Sequence, residues 1–180
     1  MRSSQPNPPI KTLGTRVAYQ NRWMRVREDK IRLADRSESV FGVVEKSDFA
    51  VIAPLDEHGN LYLVEQYRYP IGRRFKEFPQ GAWEAAPEAS PCDLAHGELK
   101  EETGLTAGCM THVGSMFQAY GYSSQKGHVF LATDLTQGQP EREPSEQDMT
   151  CSAYPVNVVE AMIRGGEIMD ATTIAAFGMI

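Results

Sequence analysis

Short apolar runs separated by turn residues dominate the first half of the chain. Residues 16–19, 23–26, 30–33 and 40–44 each carry β-branched or aromatic side chains, and each predicts a strand. Together they predict a small antiparallel sheet ahead of the main fold. Two longer apolar runs, 49–54 and 61–67, flank Asp56-Glu57-His58-Gly59-Asn60. A polar, glycine-containing connection of that length predicts a hairpin. Residues 113–117, 127–133 and 149–154 return to the strand pattern, with Tyr120-Gly121-Tyr122-Ser123-Ser124 expected as a loop over a cleft.

The period changes between residues 91 and 103. Ala95 and Leu99 are spaced to pack on one side of a helix. Ser90, Pro91 and Asp93 supply an N-cap, a proline at N1 and an acid near N3, and Gly104 supplies the stop. Near the end, Asn157 and Glu160 form a capping-box pair that predicts a short helix ending at Gly165, and Asp170 predicts the cap of a last helix. Strands, a helix, more strands and then helices argue for an α/β class.

Polar segments divide this pattern. Residues 1–11 are proline-rich and read as a flexible N-terminal arm. Residues 12–47 read as a strand subdomain and 48–180 as the main domain. Residues 137–148 are polar and acidic, without apolar periodicity.

A chain of 180 residues that is 41% hydrophobic and 23% charged suits one soluble core. Its net charge of −6 argues against nucleic-acid and anionic-membrane partners. Cys92, Cys109 and Cys151 lack CxxC spacing and histidine partners at zinc intervals. No apolar run is long enough for a leader or a span, so the chain reads as cytoplasmic and reduced. His58 lies in the turn and reads as solvated, while His112 and His128 have no second ligand at a useful spacing and read as structural.

The chemistry concentrates on the helix at 91–103. Glu98, Glu101 and Glu102 stand at i, i+3 and i+4 and share one face. Like charges at those spacings cost roughly 0.2–0.5 kcal/mol per pair. Solvation offsets that on a surface helix. A hard divalent cation such as Mg²⁺ offsets it as well, because it takes carboxylate oxygens. The apolar strand end and Pro79-Gln80-Gly81 loop before the helix, with the glycine stop after it, favour the cation.

At these residues the chain resembles the Nudix hydrolases, whose pattern is G-x5-E-x7-R-E-U-x-E-E-x-G-U with U apolar. Gly81 matches the opening glycine, and Glu98-Leu99-Lys100-Glu101-Glu102-Thr103-Gly104-Leu105 matches the end. The interval from Gly81 to Glu98 is two residues longer than the pattern, which leaves Glu84 and Glu88 as candidates for the early glutamate. Gly97 stands where the pattern has arginine, a residue that usually supports the glutamates. The resemblance implies an α/β/α sandwich with a mixed sheet, and Mg²⁺ or Mn²⁺ held by Glu98, Glu101 and Glu102, with the Gly81 carbonyl completing the shell.

Glu65-Gln66-Tyr67-Arg68-Tyr69-Pro70 resembles the run before the box in the ADP-ribose pyrophosphatase branch. A planar guanidinium suits phosphate oxygens, so Arg68 is expected on the diphosphate, with Arg74 in the same basic cluster and Glu77 facing the site. The branch resemblance also implies a homodimer through the N-terminal sheet, in which Trp23 either stacks on a base or packs in a sheet contact. It further implies a catalytic glutamate on a late loop. Among Glu141, Glu143, Glu146 and Asp148, the last two lie next to the strand at 149. Glu146 is therefore expected to act on the attacking water with Glu102, and Asp148 to assist a metal. The implied reaction is Mg²⁺-dependent hydrolysis of a nucleoside diphosphate sugar, with ADP-ribose giving AMP and ribose 5-phosphate. GDP-mannose and UDP-sugars present the same diphosphate. A module that binds nucleotide sugars without turnover is the competing class, and retention of all three glutamates argues against it.

Overall fold

The computed structural model describes residues 8–83, 88–142 and 144–180. The chain divides into two compact units. One comprises the described residues up to Ser47 together with Ala119–Gln125, and the other Asp48–Gln118 with Lys126–Ile180.

In the first unit, β1 (Lys11–Gln20), β2 (Arg25–Arg32) and β3 (Glu38–Glu45) form an antiparallel sheet in the order β1-β2-β3. The runs at 23–26 and 30–33, expected as two strands, are the two ends of β2. Its charged middle stays in the ladder because opposite charges face it across the sheet. Arg16 meets Glu28 at 2.8 Å, and Arg27 pairs with Glu45. Trp23 lies in the turn before β2, where the Asn21 side chain accepts from the backbone N–H of Trp23 and Met24 at 2.9 Å. β1 begins at Lys11, so the predicted arm is shorter than 1–11 at its described end, and residues 1–7 lie outside the described residues. The loop at 119–125 packs on β3, with the Val44 N–H donating to the Tyr122 carbonyl at 2.8 Å.

The second unit contains two sheets. A mixed sheet has the order β7 (Gln80–Gly81), β4 (Phe49–Pro54), β9 (Lys126–Gln137), β8 (Leu105–Phe117), and β4 and β9 run parallel. An antiparallel sheet has the order β10 (Thr150–Pro155), β5 (Asn60–Arg68), β6 (Arg73–Glu77). The hairpin expected from 49–67 is therefore absent. β4 and β5 join different sheets, and the pairing between the two runs is a single bridge of Leu55 with Leu61. The Asp56 carboxylate accepts from the N–H groups of His58 and Asn60, closing a polar turn that redirects the chain between sheets. The turn chemistry is that of a hairpin, but β4 is buried along its whole length and takes its partners from β7 and β9.

Alternation along β4 sends its side chains to two cores. Phe49, Val51 and Ala53 join Leu61, Leu63, Phe78, Val159 and Ala176, between the sheets and helices α2 (Val156–Arg164) and α3 (Ala171–Phe177). Ala50 and Ile52 join Leu94, Ala95, Leu99 and Phe130 under helix α1 (Pro91–Thr103). The fold is the expected α/β/α class.

The helix caps agree with the sequence in two cases out of three. Ser90 Oγ accepts from the Asp93 N–H, and Gly104 adopts φ 78° as the left-handed stop of α1. Asp170 caps α3 through the Thr173 N–H at 2.8 Å. The capping box at Asn157 does not form. α2 starts one residue earlier, its N-cap is Pro155, and Glu160 pairs with Arg164 one turn on. The Val156 N–H donates to the Gly59 carbonyl instead.

The Asp170 cap reaches further than its own helix. Thr173 Oγ donates to Asp170 Oδ2 at 2.7 Å and accepts from the buried Phe78 N–H at 2.9 Å, tying α3 to the end of β6. Thr173→Val keeps the shape and removes the acceptor. Leaving a buried N–H without a partner costs about 1–3 kcal/mol, so urea denaturation should show a loss of that order, with Thr173→Ser nearer to wild type.

Candidate active site

α1 buries an apolar side and an acidic side at once. Leu94, Ala95 and Leu99 enter the core, yet Glu98 and Glu102 are also buried, at 6% and 1% exposure. Glu101 is half-buried beside them. The Gln80 N–H donates to Glu102 Oε2 at 3.1 Å. Burial pushes the Glu102 carboxyl well above the usual carboxylate range, and the charges of Glu98, Glu146 and Glu77 push it further. Four of the glutamates in this unit thus feel one another.

Glu77, at the end of β6, is 2% exposed. Burial raises its pKa while Arg68 opposes the rise. Arg68 donates to Glu77 Oε2 through Nη2 at 2.8 Å and Nε at 3.3 Å. The second oxygen of Glu77, Oε1, is buried with no hydrogen-bond partner. Gln80 Nε2 bridges Glu77 Oε2 and Asp170 Oδ2, each at 3.1 Å. Arg68, Glu77, Gln80 and Asp170 line one wall of a cleft of about 350 Å³, and Pro70, Ile71, Phe75 and Met169 give it apolar lips.

A divalent cation fits the donor chemistry here. The candidate ligands are all oxygen, with Glu98 and Glu102 buried and Glu101 half-buried beside them. At Gly81 the backbone lies against the Glu98 carboxylate. A Cβ there would stand 2.6 Å from Cδ and 2.7 Å from Oε1, so a larger residue would push the Glu98 carboxylate out of this corner. Among the described residues, no three His, Cys, Asp or Glu side chains are gathered closely enough to hold an ion.

The acidic loop is fastened to the C-terminus of α1. A helix ends with carbonyls that its own turns do not satisfy. Here the loop supplies the donors. The Gly138 N–H donates to Gly104 O at 2.8 Å, the Glu141 N–H to Glu101 O at 3.0 Å, and Arg142 Nε to Glu102 O at 3.0 Å. Arg142 also donates to the Met149 carbonyl through Nη1, so one side chain joins the helix to the far end of the loop. Glu146 sits on a 3-10 turn, Pro144–Glu146, between these fixed points.

The predicted residues separate into groups. Glu98, Glu102, Gly81, Glu77, Arg68 and Glu146 belong to one neighbourhood, with Glu101 beside it. Arg74 and Asp148, expected on substrate and metal, bind each other at 2.5 Å on an exposed rim, and Arg74 also meets Glu65. Glu141 pairs with Lys100 at 2.7 Å. Trp23 belongs to the first unit, where the Arg22 guanidinium stacks 4.0 Å from its ring centre. Glu88 is exposed, and Glu84 and Glu143 lie outside the described residues. Sequence reasoning missed Arg142, Gln80 and Asp170 as parts of the site. Only Asp170 carried a signal, as a helix cap. Removal of the Arg142 side chain leaves the carbonyl of buried Glu102 without this donor. Arg142→Ala should therefore cost about 1–3 kcal/mol, read as a lowered urea midpoint with an unchanged slope.

Residues 10–44 match the model of the nucleoside diphosphate sugar hydrolase N-terminal domain, and residues 45–174 match the NUDIX domain. An ADP-ribose pyrophosphatase from Mycobacterium tuberculosis is 32% identical over 92% of this chain and 80% of its own length. One from Bacillus subtilis is 26% identical over 91% of this chain and 88% of its own. A crystal structure of an ADP compounds hydrolase shares the fold with a TM-score of 0.84 at 19% identity, covering 98% of this chain and 94% of that one. A matched NUDIX domain carrying two buried box glutamates, one of them against the opening glycine, leads to one assignment: the chain belongs to the Nudix hydrolase family.

Proposed function

We propose that this protein hydrolyses the diphosphate bond of a nucleoside diphosphate sugar, and that ADP-ribose is its substrate, yielding AMP and ribose 5-phosphate. The observation that carries this reading is the burial of Glu98 and Glu102 together, with Glu77 and Glu146 adding to the charge felt by Glu102. The N-terminal family match and the names of both ADP-ribose pyrophosphatase relatives support the substrate class.

Glu98, Glu102 and the Gly81 carbonyl would hold Mg²⁺, or Mn²⁺ in its place, with Glu101 at the edge of the site. When bound, the cation neutralises phosphoryl oxygens and acidifies water. The remaining work belongs to side chains. Arg68, held by Glu77 at the cleft wall, stabilises charge on the diphosphate. Glu146 takes the proton of the attacking water as its oxygen bonds to phosphorus, and the bridging oxygen leaves with the other phosphate. Asp148 and Arg74 steady the loop end through their ion pair rather than touching the reacting groups.

The proposal extends to assembly. The N-terminal sheet exposes Val17, Tyr19, Val40 and Phe41 at 42–56% of their surface. Exposed apolar side chains on a short open sheet mark a contact surface, and a second copy of the chain is the proposed occupant. Light scattering at micromolar concentration should give a dimer, and a monomer would count against this part.

ADP-ribose with Mg²⁺ should release AMP, and EDTA should abolish release. Glu102→Gln should remove most turnover. It should also raise the melting temperature of the ion-free protein. The folded pKa of Glu102 lies above its unfolded value, so that group withdraws stability as pH rises from near 4.5 through the folded value. Glutamine removes this loss, and the gain should be larger at pH 8 than at pH 5. Glu146→Gln should lower kcat by about 10²–10⁴-fold with little change in KM, whereas Glu141→Gln should stay near wild type. Wild-type turnover by Glu102→Gln at limiting Mg²⁺ would overturn the assignment.

A further inference from the structure

Gly97 lies inside α1, next to Glu98. Glycine in a helix interior costs about 1 kcal/mol relative to alanine, and its φ is not in the left-handed region. The glycine therefore answers to something other than backbone conformation. The space at Gly97 is filled by Trp83. A Cβ at residue 97 would stand 2.6 Å from Cη2 and 3.1 Å from Cε2 of the indole, and nearer still to Cζ2. The same ring is half-buried against the core under α1, among Ile52, Leu94, Leu99 and Phe130.

Two residues before Trp83 is Gly81, whose backbone lies against the Glu98 carboxylate. The segment 81–83 thus meets α1 at successive residues. The Gly81 backbone meets the Glu98 side chain, and the Trp83 ring meets the bare Gly97 backbone. Each contact has a glycine on one side, and the two glycines stand on opposite partners. This is an interlock, in which sliding either segment breaks both contacts.

We propose that Trp83 is a positioning residue. Seated on Gly97, it fixes the corner between Gly81 and Glu98 where the divalent cation is held, taking the place of the arginine in the family pattern. The proposal rests on the cation reading given above. An indole has no charge to offer the glutamates, so its contribution is rigidity. It holds the glycine carbonyl and the carboxylate at one separation, which a rigid-geometry cation such as Mg²⁺ demands.

The test is Mn²⁺ affinity, read without turnover from the electron paramagnetic resonance signal of the free ion. Wild type, Trp83→Ala, Trp83→Phe, Gly97→Ala and the double variant Trp83→Ala/Gly97→Ala are compared, with Glu98→Gln as reference. Loss of a group that supports a metal ligand weakens binding by about 10–100-fold. Trp83→Ala and Gly97→Ala should each fall at the lower end of that range. Their combination should be no worse than the poorer single variant, because both break the same contact. The chain has two tryptophans, so in a Trp23→Phe background Trp83 is the sole tryptophan; excited at the red edge, where tyrosine does not absorb, it should be quenched by Mn²⁺ with the same apparent Kd. Trp83→Phe keeps an aromatic ring in the core, and its weakened binding would carry the proposal even if Trp83→Ala fails to fold. Wild-type Mn²⁺ affinity in Gly97→Ala and Trp83→Phe, with only the melting temperature lowered, would overturn it. Wild-type affinity in Glu98→Gln would instead remove the cation reading on which it stands.

Discussion

Two carboxylates buried on one turn of one helix impose the governing constraint on this molecule. Taking a charge out of water costs several kcal/mol unless partners meet it. Glu102 meets part of that cost through its pKa, which burial and the neighbouring glutamates push upward. Arg68, the arginine of the cleft wall, is committed to Glu77. The Gln80 N–H gives Glu102 one hydrogen bond. The cost stays in place because the other side of α1 is fixed by Leu94, Ala95 and Leu99 against the mixed sheet. Core packing holds the acids where solvation would not have put them. A bound cation, as proposed above, would supply the charge that completes the balance.

The same helix organises the loop that carries Glu146. Its C-terminal carbonyls need donors, and the residues following β9 provide them. A requirement of helix chemistry thereby becomes a means of placing a segment with no regular structure of its own. Three attachments occur within five residues of helix end, at Glu101, Glu102 and Gly104. The attachment through Arg142 reaches to Met149, so the loop is held from both ends while its middle stays short.

Much of this was legible in the sequence where the cause is local. Ser90, Pro91 and Gly104 bound α1 at the residues expected, because capping depends on neighbours in the chain. The two box glutamates that are most buried were identifiable from spacing and resemblance together. What escaped sequence reasoning depends on distant partners. The Asp56–Asn60 turn looks like a hairpin, and nothing nearby reveals that β4 will pair with β9. Asn157 and Glu160 have capping-box spacing, but Pro155 and the Gly59 carbonyl settle where α2 begins. Arg74 and Asp148, distant in sequence, neutralise each other, which no local pattern announces. The departure at Gly97 was visible as a missing arginine, but the Trp83 ring that fills its space stands fourteen positions earlier in the chain.

The parallel pairing of β4 with β9 also governs how the chain acquires its shape. Phe49 is matched with Gly127 and Pro54 with Ala132, so the central strand waits for most of the polypeptide before its longer ladder closes. Contacts of such sequence separation slow folding, because loop entropy is lost before the pairing returns anything. During synthesis β4 emerges as an apolar, β-prone segment with both edges bare, and the two-residue β7 covers only one of them. Until β9 has left the ribosome, the nascent β4 carries an uncovered edge of the kind that pairs with other chains. The strand buried along its whole length in the finished fold is thus one that emerges with no partner on either edge.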